Sequence, residues 1–460
     1  MRKTSFALAL LTAAVLTACG GTDPRPGDQT PKTKFTQQVT FGDSLSDVGS
    51  YAVGGVAAMG GGAYTINGDA TSVSPELTGK NYTALVAAQL GLPAPCAAQT
   101  GLLGTASTNP ALNFAVPVTM NANCYNYAQG GARVTNPIGP GNRALDKAGA
   151  TISLGATTVP VTTQIDNHLK KTGGKFSGTE LVIVMAGGND VLEQLGELSA
   201  GATTAGGTAL ITSLVQQLAP NATNPATAQQ AIALAAQTAA AQGGDSAAII
   251  TAAFTAAGQA GNTTVAAANR ATIIATASAA ATKAGTDYST AHGPELVAAL
   301  GKAGAELAGY VKTKIVGNGA NFVVVNNLPD VSITPSVLAQ MTQSPDIQKL
   351  VATMVSTFNQ QLKAGLGDDA KILYVDLATV SHDQATNPAP YGLTNTTTPA
   401  CIINDTSKNL LGSSLLCNKN NLVSGDVSHY MFADGVHPSP FEYALIARYI
   451  LLQMSGKGWI

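Results

Sequence analysis

The sequence predicts an α/β fold with a parallel sheet, because strand-like runs alternate along the chain with helical segments. Four short apolar runs rich in β-branched residues have the length of strands: Gln38–Phe41, Leu181–Met185, Phe322–Val325 and Ile372–Val375. The two central runs are almost continuously apolar, which is typical of strands covered on both faces. Helical spacing of apolar residues is found at Tyr82–Leu90, Glu295–Lys314 and Pro438–Met454. This alternation favours a parallel sheet over other arrangements of the same elements.

Composition is that of a globular protein and argues against a nucleic-acid partner. A hydrophobic fraction of 45% in 460 residues is enough for a sizeable core, which excludes disorder throughout. Lys and Arg number 24 against 26 Asp and Glu, so there is no basic excess to attract phosphates. The charged fraction is only 11%, and Ala, Thr, Asn and Gly are abundant, which favours an exported bacterial protein.

The N-terminus has the pattern of an export signal. Residues 1–18 carry Arg2 and Lys3 before a short apolar run, as in a secretory signal peptide. The following Leu16-Thr17-Ala18-Cys19 resembles a bacterial lipobox, in which Cys19 would be lipidated; an ordinary cleavage site beside an accidental Cys is the alternative. Residues 19–37 are polar and Pro-containing, which predicts a lipid-anchored tether. We therefore expect an outer-membrane lipoprotein that contacts the membrane through Cys19, with a secreted or periplasmic protein as the alternative.

The remaining four cysteines predict disulfides, since an exported chain reaches an oxidising compartment. Four cysteines allow three connectivities. The simplest is the local pairing, Cys96 with Cys124 and Cys401 with Cys417. Four buried thiols are the alternative.

Residues 201–290 differ from the rest of the chain, with 31 Ala and four charged side chains. Because Ala strongly favours helix, we predict an Ala-rich helical insertion with helices near Ala228–Gln242, Ser246–Gln259 and Thr264–Lys283. The insertion is either a structural element on the flank of the sheet or a cap beside the functional site.

Two polar motifs suggest nucleophilic chemistry. In Phe41-Gly42-Asp43-Ser44-Leu45-Ser46, a Ser follows a predicted strand directly, so Ser44 is expected at the carboxyl edge of the sheet. Far along the chain, Asp434-Gly435-Val436-His437-Pro438 spaces a carboxylate and an imidazole so that Asp434 could orient His437. Each motif alone could also be a turn, the second one a helix entry with Pro438 in the first helical turn.

Two Gly-rich turns could supply hydrogen-bond donors for an oxyanion. Ala186-Gly187-Gly188-Asn189-Asp190 follows the most apolar strand and offers the amide of Asn189 at the sheet edge. Asn126-Tyr127-Ala128-Gln129-Gly130-Gly131-Ala132 is a second Gly turn that can expose a backbone N–H. Acyl transfer needs such donors around the developing negative charge. Loops that simply require positive φ are the alternative for both turns.

Together, these four segments resemble the SGNH/GDSL hydrolases, which carry four sequence blocks in this chain order. They are a Ser block (here residues 41–46), a Gly block (126–132), an Asn block (186–190) and an Asp-x-x-His block (434–437). The resemblance implies a three-layer α/β/α sandwich of flavodoxin-like type with a five-stranded parallel sheet, over residues 38–460 apart from the insertion. It implies Ser44 as nucleophile, His437 as base and Asp434 as its orienting partner. It also implies an oxyanion hole of the Ser44 and Gly131 N–H groups and Asn189, with Gly131 preferred to Gly130.

The resemblance predicts a serine esterase or lipase that cleaves carboxylic esters, from acyl lipids to short-chain esters, through an acyl-enzyme. An O-acetyl polysaccharide esterase or an acyltransferase with the same catalytic set is one alternative, and a surface-binding lipoprotein with an idle site is another. No metal or cofactor is expected. His168, His292, His382 and His429 are interpreted as structural or surface residues, and Asp47 and Asp190 as residues that stabilise turns.

Overall fold

The computed structural model describes residues 33–68, 76–102, 116–140, 157–341 and 346–460. The predicted signal peptide, Cys19 and most of the predicted tether lie outside the described residues.

A parallel sheet forms the centre of the molecule, and its strands are the four that the sequence predicts. The sheet order is β1 (Gln38–Gly42), β4 (Leu181–Met185), β5 (Phe322–Asn326) and β6 (Ile372–Val375). All three pairings are parallel. Two further strands, β2 (Gln99–Leu102) and β3 (Val116–Met120), form a separate antiparallel pair.

The expected five-stranded sheet is wrong in its strand number, because the described residues form four parallel strands. Residues 125–127 lie where a fifth strand would pair with β1, and they exchange two hydrogen bonds with Thr40. The pairing is confined to this single bridge between Thr40 and Asn126. The Gln129 N–H still donates to the Gly42 carbonyl oxygen at 3.2 Å, but the Gly42 N–H donates to the Gln164 side chain at 2.8 Å, so the backbone ladder is interrupted there.

Alternating side chains of the strands enter two separate cores, one on each face of the sheet. Val182 and Val184 face one core, whereas Leu181, Ile183 and Met185 face the other. The first core includes residues of α3 (Val161–Lys171), α8 (Arg270–Tyr310) and α10 (Ile347–Leu366). The second includes residues of α2 (Tyr82–Gln89) and α12 (Pro440–Gly456). This gives the predicted three layers, since a sheet buried on both faces needs a helical layer on each.

Twelve α-helices are assigned among the described residues. Their bounds are α1 Gly54–Ala58, α2 Tyr82–Gln89, α3 Val161–Lys171, α4 Gly188–Leu218, α5 Pro225–Ala241, α6 Ser246–Gln259, α7 Thr264–Ala268, α8 Arg270–Tyr310, α9 Pro335–Met341, α10 Ile347–Leu366, α11 Leu377–Thr386 and α12 Pro440–Gly456.

The Ala-rich segment is helical, but its helices differ in part from those expected. The predicted helix over Thr264–Lys283 is two helices, α7 and the start of α8, separated at Asn269. Neither residue 201 nor residue 290 marks a structural boundary, because α4 and α8 run through them without a break. The Asp245 side chain accepts a hydrogen bond from the Ala248 N–H, so Asp245 is the N-cap of α6.

The distal helices have a core of their own. Buried residues of α5 and α6 pack with the far halves of α4 and α8 in a cluster distinct from the two cores on the sheet. Glycines bring α4 and α8 close together at the root of this unit: a Cβ on Gly206 would lie 3.1 Å from the Ala281 carbonyl oxygen. By length and composition alone, Gly188–Asn221 could cross a membrane. Part of this segment packs along α8 and in the two cores that α8 enters.

Both predicted disulfides are present, between Cys96 and Cys124 and between Cys401 and Cys417. The first ties the chain before β2 to the segment beside β1, and the second closes a loop near the C-terminal helix. Each crosslink is expected to stabilise the fold by roughly 3 kcal/mol, chiefly through the unfolded chain.

Because the distal helices have a separate core, the sheet should fold without them. Replacing residues 207–280 with a four-residue turn would join α4 to α8 where their backbones already meet. We expect a folded protein with one cooperative urea transition and a melting temperature near that of the full chain. Circular dichroism during urea and thermal unfolding provides the measurement. An aggregated or molten shortened chain would show that the sheet depends on the distal core.

Candidate active site

The Ser block and the Asn block meet at the carboxyl edge of the sheet. Gly42 ends β1 directly opposite Met185, which ends β4. A Cβ on Gly42 would lie 2.3 Å from the Met185 carbonyl oxygen, so a larger residue would separate the strands. Gly187 has φ +120°, and a Cβ there would contact the ring of Phe358 at 2.6 Å. These two glycines therefore allow the turns that follow β1 and β4.

A continuous hydrogen-bond chain joins Ser44, His437 and Asp434. The Ser44 Oγ lies 2.8 Å from His437 Nε2. On the other side of the ring, His437 Nδ1 lies 2.7 Å from Asp434 Oδ2. Thus residues almost 400 positions apart in the chain form the arrangement in which an imidazole accepts the hydroxyl proton and a carboxylate stabilises the resulting imidazolium.

Asp434 is buried but remains a carboxylate. Burial alone would raise its pKa, but the charge of His437 and hydrogen bonds from His437, Ser414 and Val436 outweigh that effect and hold the pKa far below its ordinary value. The Ser414 N–H donates to Oδ2 at 2.6 Å. Ser414 lies in the loop closed by the Cys401–Cys417 disulfide. The crosslink therefore restrains a donor that orients the carboxylate.

The three predicted oxyanion donors differ in how the structure presents them. The Asn189 Nδ2 donates one hydrogen bond to the Ala132 carbonyl oxygen at 2.9 Å, which fixes the amide and leaves its second N–H free to bind a ligand. The backbone N–H groups of Ser44 and Gly131 have no partner among the described residues. Ser44 and Asn189 line the same cavity, whereas Gly131, with φ +80°, lies outside its lining.

Two buried carboxylates hold the Gly block in place. Asp47 accepts the Gly130 N–H at 2.9 Å, which removes that donor from the site and leaves the next one, at Gly131, unpaired. Asp190 accepts the Val134 N–H and the Arg133 Nε–H, each at 3.0 Å. Since Asp190 belongs to the first turn of α4, it links the Gly block to the helix that carries Asn189. Both residues occupy the turn-stabilising positions expected from the sequence.

Asp43 brings a further acidic group next to Ser44. Its side chain is buried, lines the cavity and accepts the Leu45 N–H at 3.1 Å. Burial raises the pKa of Asp43 to about 7, which hydrogen bonding to Leu45 and the charge of His437 counteract only in part. The group therefore changes its charge near neutral pH, within the cavity that holds Ser44.

Tyr64 contacts the site, although sequence reasoning did not select it. Its ring centroid lies 4.7 Å from that of His437. The same ring abuts Gly130, where an added Cβ would lie 2.1 Å from the Tyr64 hydroxyl oxygen, and Tyr51 donates a hydrogen bond to the Gly130 carbonyl oxygen. Tyr64 thus separates the imidazole from the Gly block. In the sequence, Tyr64 is only an aromatic residue that follows a run of glycines, and this pattern does not indicate a functional site.

The cavity beside Ser44 is mainly apolar. Ser44, Asn189 and His437 line the cavity. Asp434 does not line it and contacts the far side of the His437 ring. Apolar side chains form most of the remaining wall: Leu45, Leu192, Leu328, Val331, Ile333, Met431, Phe432, Val436 and Ile446. None of the described residues between Leu192 and Leu328 lines the cavity. The distal helices therefore do not form part of the cavity wall, and this lining gives no support to the interpretation of the insertion as a cap.

His168, His292, His382 and His429 are not among the residues that line the cavity. His168 is fully buried beside Phe41 and Phe176, and desolvation lowers its pKa to about 4. His382 pairs with Asp330, while His429 packs against Phe441. Within the described ranges, no cluster of three or more His, Cys, Asp or Glu side chains could hold a metal ion.

Comparison with known proteins agrees with the motifs. The family model for GDSL-like lipase/acylhydrolase matches residues 241–450. This range contains Asp434 and His437, whereas Ser44, Gly131 and Asn189 precede it. A parallel sheet with a hydrogen-bonded Ser, His and Asp at its edge defines the class of α/β proteins that carry a triad. Within that class, the chain is similar to the GDSL-like lipase/acylhydrolase family over slightly less than half of its length, and this is the family that its four blocks resemble.

Curated relatives include three proteins of Arabidopsis thaliana. One GDSL esterase/lipase is 28% identical over 145 residues, covering 30% of this chain and 39% of the relative. Another is 31% identical over 146 residues, covering 30% of this chain and 35% of the relative. The anther-specific proline-rich protein APG is 27% identical over 154 residues, covering 32% of this chain and 28% of the relative. The chain thus matches roughly a third of the length of these relatives.

The raised pKa of Asp43 predicts a pH-dependent stability. Between the ordinary pKa of 3.8 and about 7, the folded protein keeps a proton that the unfolded chain has lost, so stability falls as pH rises through this window. Over this pH window, the free energy of unfolding of Asp43→Asn should fall by up to about 4 kcal/mol less than that of the wild type. Urea unfolding at pH 4.5 and pH 7.5 measures the difference, with the exposed Asp368→Asn as control. If the free energy of unfolding fell equally between the two pH values in Asp43→Asn and Asp368→Asn, the raised pKa of Asp43 would be contradicted.

Proposed function

We propose that the protein is a serine esterase or lipase that cleaves carboxylic esters through an acyl-enzyme. The observation that carries the proposal is the hydrogen-bond chain from Ser44 Oγ through His437 to Asp434. Similarity to a family described as lipases and acylhydrolases supports ester substrates.

Each step follows from the position of a proton donor or acceptor. Ser44 Oγ attacks the ester carbonyl while its proton passes to His437 Nε2, and Asp434 stabilises the imidazolium through Nδ1. The oxyanion of the tetrahedral intermediate is bound by Asn189 and by the backbone N–H groups of Ser44 and Gly131. As the intermediate collapses, His437 protonates the leaving alcohol. Water then attacks the acyl-enzyme, gives its proton to His437 and releases the acid, with Ser44 regaining its proton.

The cavity favours an acyl chain over an acetyl group alone. Its apolar wall next to Ser44 would bury the methylenes of an acyl chain, each contributing about 0.8 kcal/mol of transfer free energy. An acetyl group has no methylene chain to bury against this wall, so the wall does not favour an O-acetyl polysaccharide esterase. An acyltransferase would use the same residues and is distinguished by its acceptor, since an added alcohol would then capture the acyl group in place of water.

We also propose that the protein is an outer-membrane lipoprotein anchored through Cys19, with residues 19–37 as the tether. The support is the lipobox-like Leu16-Thr17-Ala18-Cys19 after a short apolar run. The two disulfides favour an oxidising compartment, in agreement with export.

Ser44→Ala should abolish ester hydrolysis, with kcat lowered on the order of 10⁶-fold, because the substitution removes the oxygen that attacks the ester carbonyl. Hydrolysis of p-nitrophenyl esters from acetate to palmitate, together with phospholipids and acetylated xylan, is the assay. The exposed Ser407→Ala provides the matched control and should be as active as the wild type. Turnover above a hundredth of wild type in folded Ser44→Ala would rule out this nucleophile.

Asn189→Ala should lower kcat by roughly 10²- to 10³-fold with little change in KM, since the donor strengthens its bond only as charge develops on the oxygen. Steady-state kinetics on one ester separates the two constants. The exposed Asn420→Ala is the control. A change confined to KM would make Asn189 a ground-state binding residue instead.

Cys19→Ser should move the protein from the membrane fraction to the soluble exported fraction without loss of specific activity. Lipidation contributes about 0.8 kcal/mol per buried CH₂, and several chains together give stable anchoring. Fractionation and intact mass of the mature protein are the measurements. A wild-type mass without lipid, or an unchanged membrane fraction for the variant, would contradict the anchor.

A further inference from the structure

The ring of Tyr64 lies against the imidazole of His437, a contact that the steps of ester hydrolysis do not by themselves explain. The two ring centroids are 4.7 Å apart, and the ring planes are inclined by 34°. This inclination is closer to face-to-face than to edge-on packing, so the imidazole lies near the π face of the phenol. Tyr64 is not among the residues that line the cavity, so it contacts His437 from within the protein.

The face of an aromatic ring attracts a cation, because the π electrons make it negative. The attraction operates within about 6 Å of the ring centroid and is stronger where water is excluded. Tyr64 is buried, and burial raises the pKa of its hydroxyl well above the ordinary value, so the ring is a neutral phenol. This face can therefore stabilise a positive charge on the imidazole of His437.

The charge of His437 changes during the proposed reaction. The imidazole is neutral before it accepts the Ser44 proton, and it becomes an imidazolium as the tetrahedral intermediate forms. An interaction that is stronger with the imidazolium than with the imidazole stabilises the transition state more than the ground state. The hydrogen bond to Asp434 has this property, and so does the contact with the face of Tyr64.

The disulfide-closed loop at residues 401–417 supports both of these partners of the imidazole. Its Ser414 N–H donates to Asp434 Oδ2 at 2.6 Å. The next residue, Leu415, belongs to the same buried cluster as Tyr64. One crosslinked loop thus contacts the residue that supplies the carboxylate and the residue that supplies the aromatic face.

Tyr64 is held in place from several sides. The Gly62 N–H donates to the Leu415 carbonyl oxygen at 3.0 Å, and a Cβ on Gly61 would clash with that oxygen, so the glycines let this segment approach the loop. The ring of Tyr51 packs edge-on against that of Tyr64, with 6.3 Å between centroids. The aromatic face is therefore positioned beside the imidazole in advance, which avoids reorganisation during the reaction.

Three aspartates lie around the two rings. Asp434 binds His437 Nδ1, and Asp43 lies near enough for the charge of His437 to lower its pKa. Asp434 and Asp47 lie near enough to Tyr64 to raise the pKa of its hydroxyl. No Lys or Arg is among the described residues that line the cavity. These charged groups are the same in every variant at position 64, so differences between such variants report on the ring.

We propose that Tyr64 is a positioning residue that acts through His437, with its aromatic face stabilising the imidazolium that forms during ester cleavage. The proposal rests on the proposed esterase function of the same site. Because the ring does not line the cavity, its removal should lower kcat and leave KM nearly unchanged.

Fluorinated rings at position 64 change the charge of the aromatic face at nearly constant shape. Tyr64→Phe keeps the face and should retain most of the wild-type kcat on 4-nitrophenyl butyrate. Replacement of Tyr64 by 4-fluoro-, 3,5-difluoro- and 3,4,5-trifluorophenylalanine should lower log kcat with each added fluorine, by about three- to thirtyfold over the series. Tyr64→Leu removes the face and should lower kcat at least as far.

Phe176 provides the matched control. Its ring packs on the buried His168 with nearly the same geometry, 4.5 Å between centroids and 33° between planes. Neither of these residues lines the cavity. The same fluorinated residues at position 176 should leave kcat unchanged. A comparable fall at position 176 would show that fluorination acts through the fold, and it would overturn the proposal.

Protonation of His437 is measured separately from turnover. In a Ser44→Ala background, the Hε1 resonance of His437 is followed by NMR as a function of pH. Tyr64→Leu should move the titration midpoint by up to about one unit to lower pH, because the charged imidazole loses a stabilising contact. Tyr64→Phe should leave the midpoint unchanged. In the active enzyme, the acid limb of the kcat/KM profile should move in the same direction as the midpoint.

The outcomes distinguish this proposal from the function on which it rests. A folded wild type that cleaves no ester would contradict the esterase function, while the NMR titration would still test the contact between Tyr64 and His437. Equal kcat throughout the fluorinated series, or an unchanged titration midpoint in folded Tyr64→Leu, would overturn the role of Tyr64 alone. Melting curves establish that each variant is folded, and the fluorinated series retains the ring if Tyr64→Leu does not fold.

Discussion

The close pairing of Gly42 with Met185 is the constraint on which the site depends. Gly42 has no Cβ to separate β1 from β4, and an added Cβ would lie 2.3 Å from the Met185 carbonyl oxygen. Because the strands are parallel and end together, the turns carrying Ser44 and Asn189 emerge side by side. The C-terminal segment then has to bring only His437 to this edge, 2.8 Å from Ser44. One glycine contact thus aligns residues from three distant parts of the chain.

Four buried aspartates surround this edge, and their hydrogen bonds give them different charges and tasks. The imidazole of His437 and several N–H donors keep Asp434 ionised, which lets it stabilise a positive ring. Burial dominates at Asp43, Asp47 and Asp190 and raises the pKa of each. Asp47 and Asp190 bind backbone N–H groups of the Gly block, whereas Asp43 lines the cavity together with Ser44. The same residue type therefore supplies one charge at Asp434, two clamps of the Gly block at Asp47 and Asp190, and a further acid beside Ser44 at Asp43.

The sequence was most informative where local pattern and spacing determine structure. Four strands, the Ser44 and His437 turns and both disulfide pairs were predictable, because apolar runs and short cysteine spacings act locally. The fifth strand was predicted from family resemblance and is wrong: the segment at Asn126 pairs with β1 through a single bridge, because the Gln164 side chain takes the Gly42 N–H. Tyr64 and Ser414 could not be found from sequence, since their importance comes from long-range contacts, a ring contact with His437 and a hydrogen bond to Asp434.

The central claim is that Ser44 is a nucleophile activated by His437, and covalent labelling tests it most directly. A fluorophosphonate transfers its phosphonyl group to an activated serine hydroxyl with loss of fluoride, and peptide mass spectrometry locates the adduct. The account predicts one adduct per chain, on Ser44, with labelling strongly slowed in a folded His437→Ala variant. Labelling of a different serine, or ester hydrolysis that persists with Ser44 unlabelled, would contradict it.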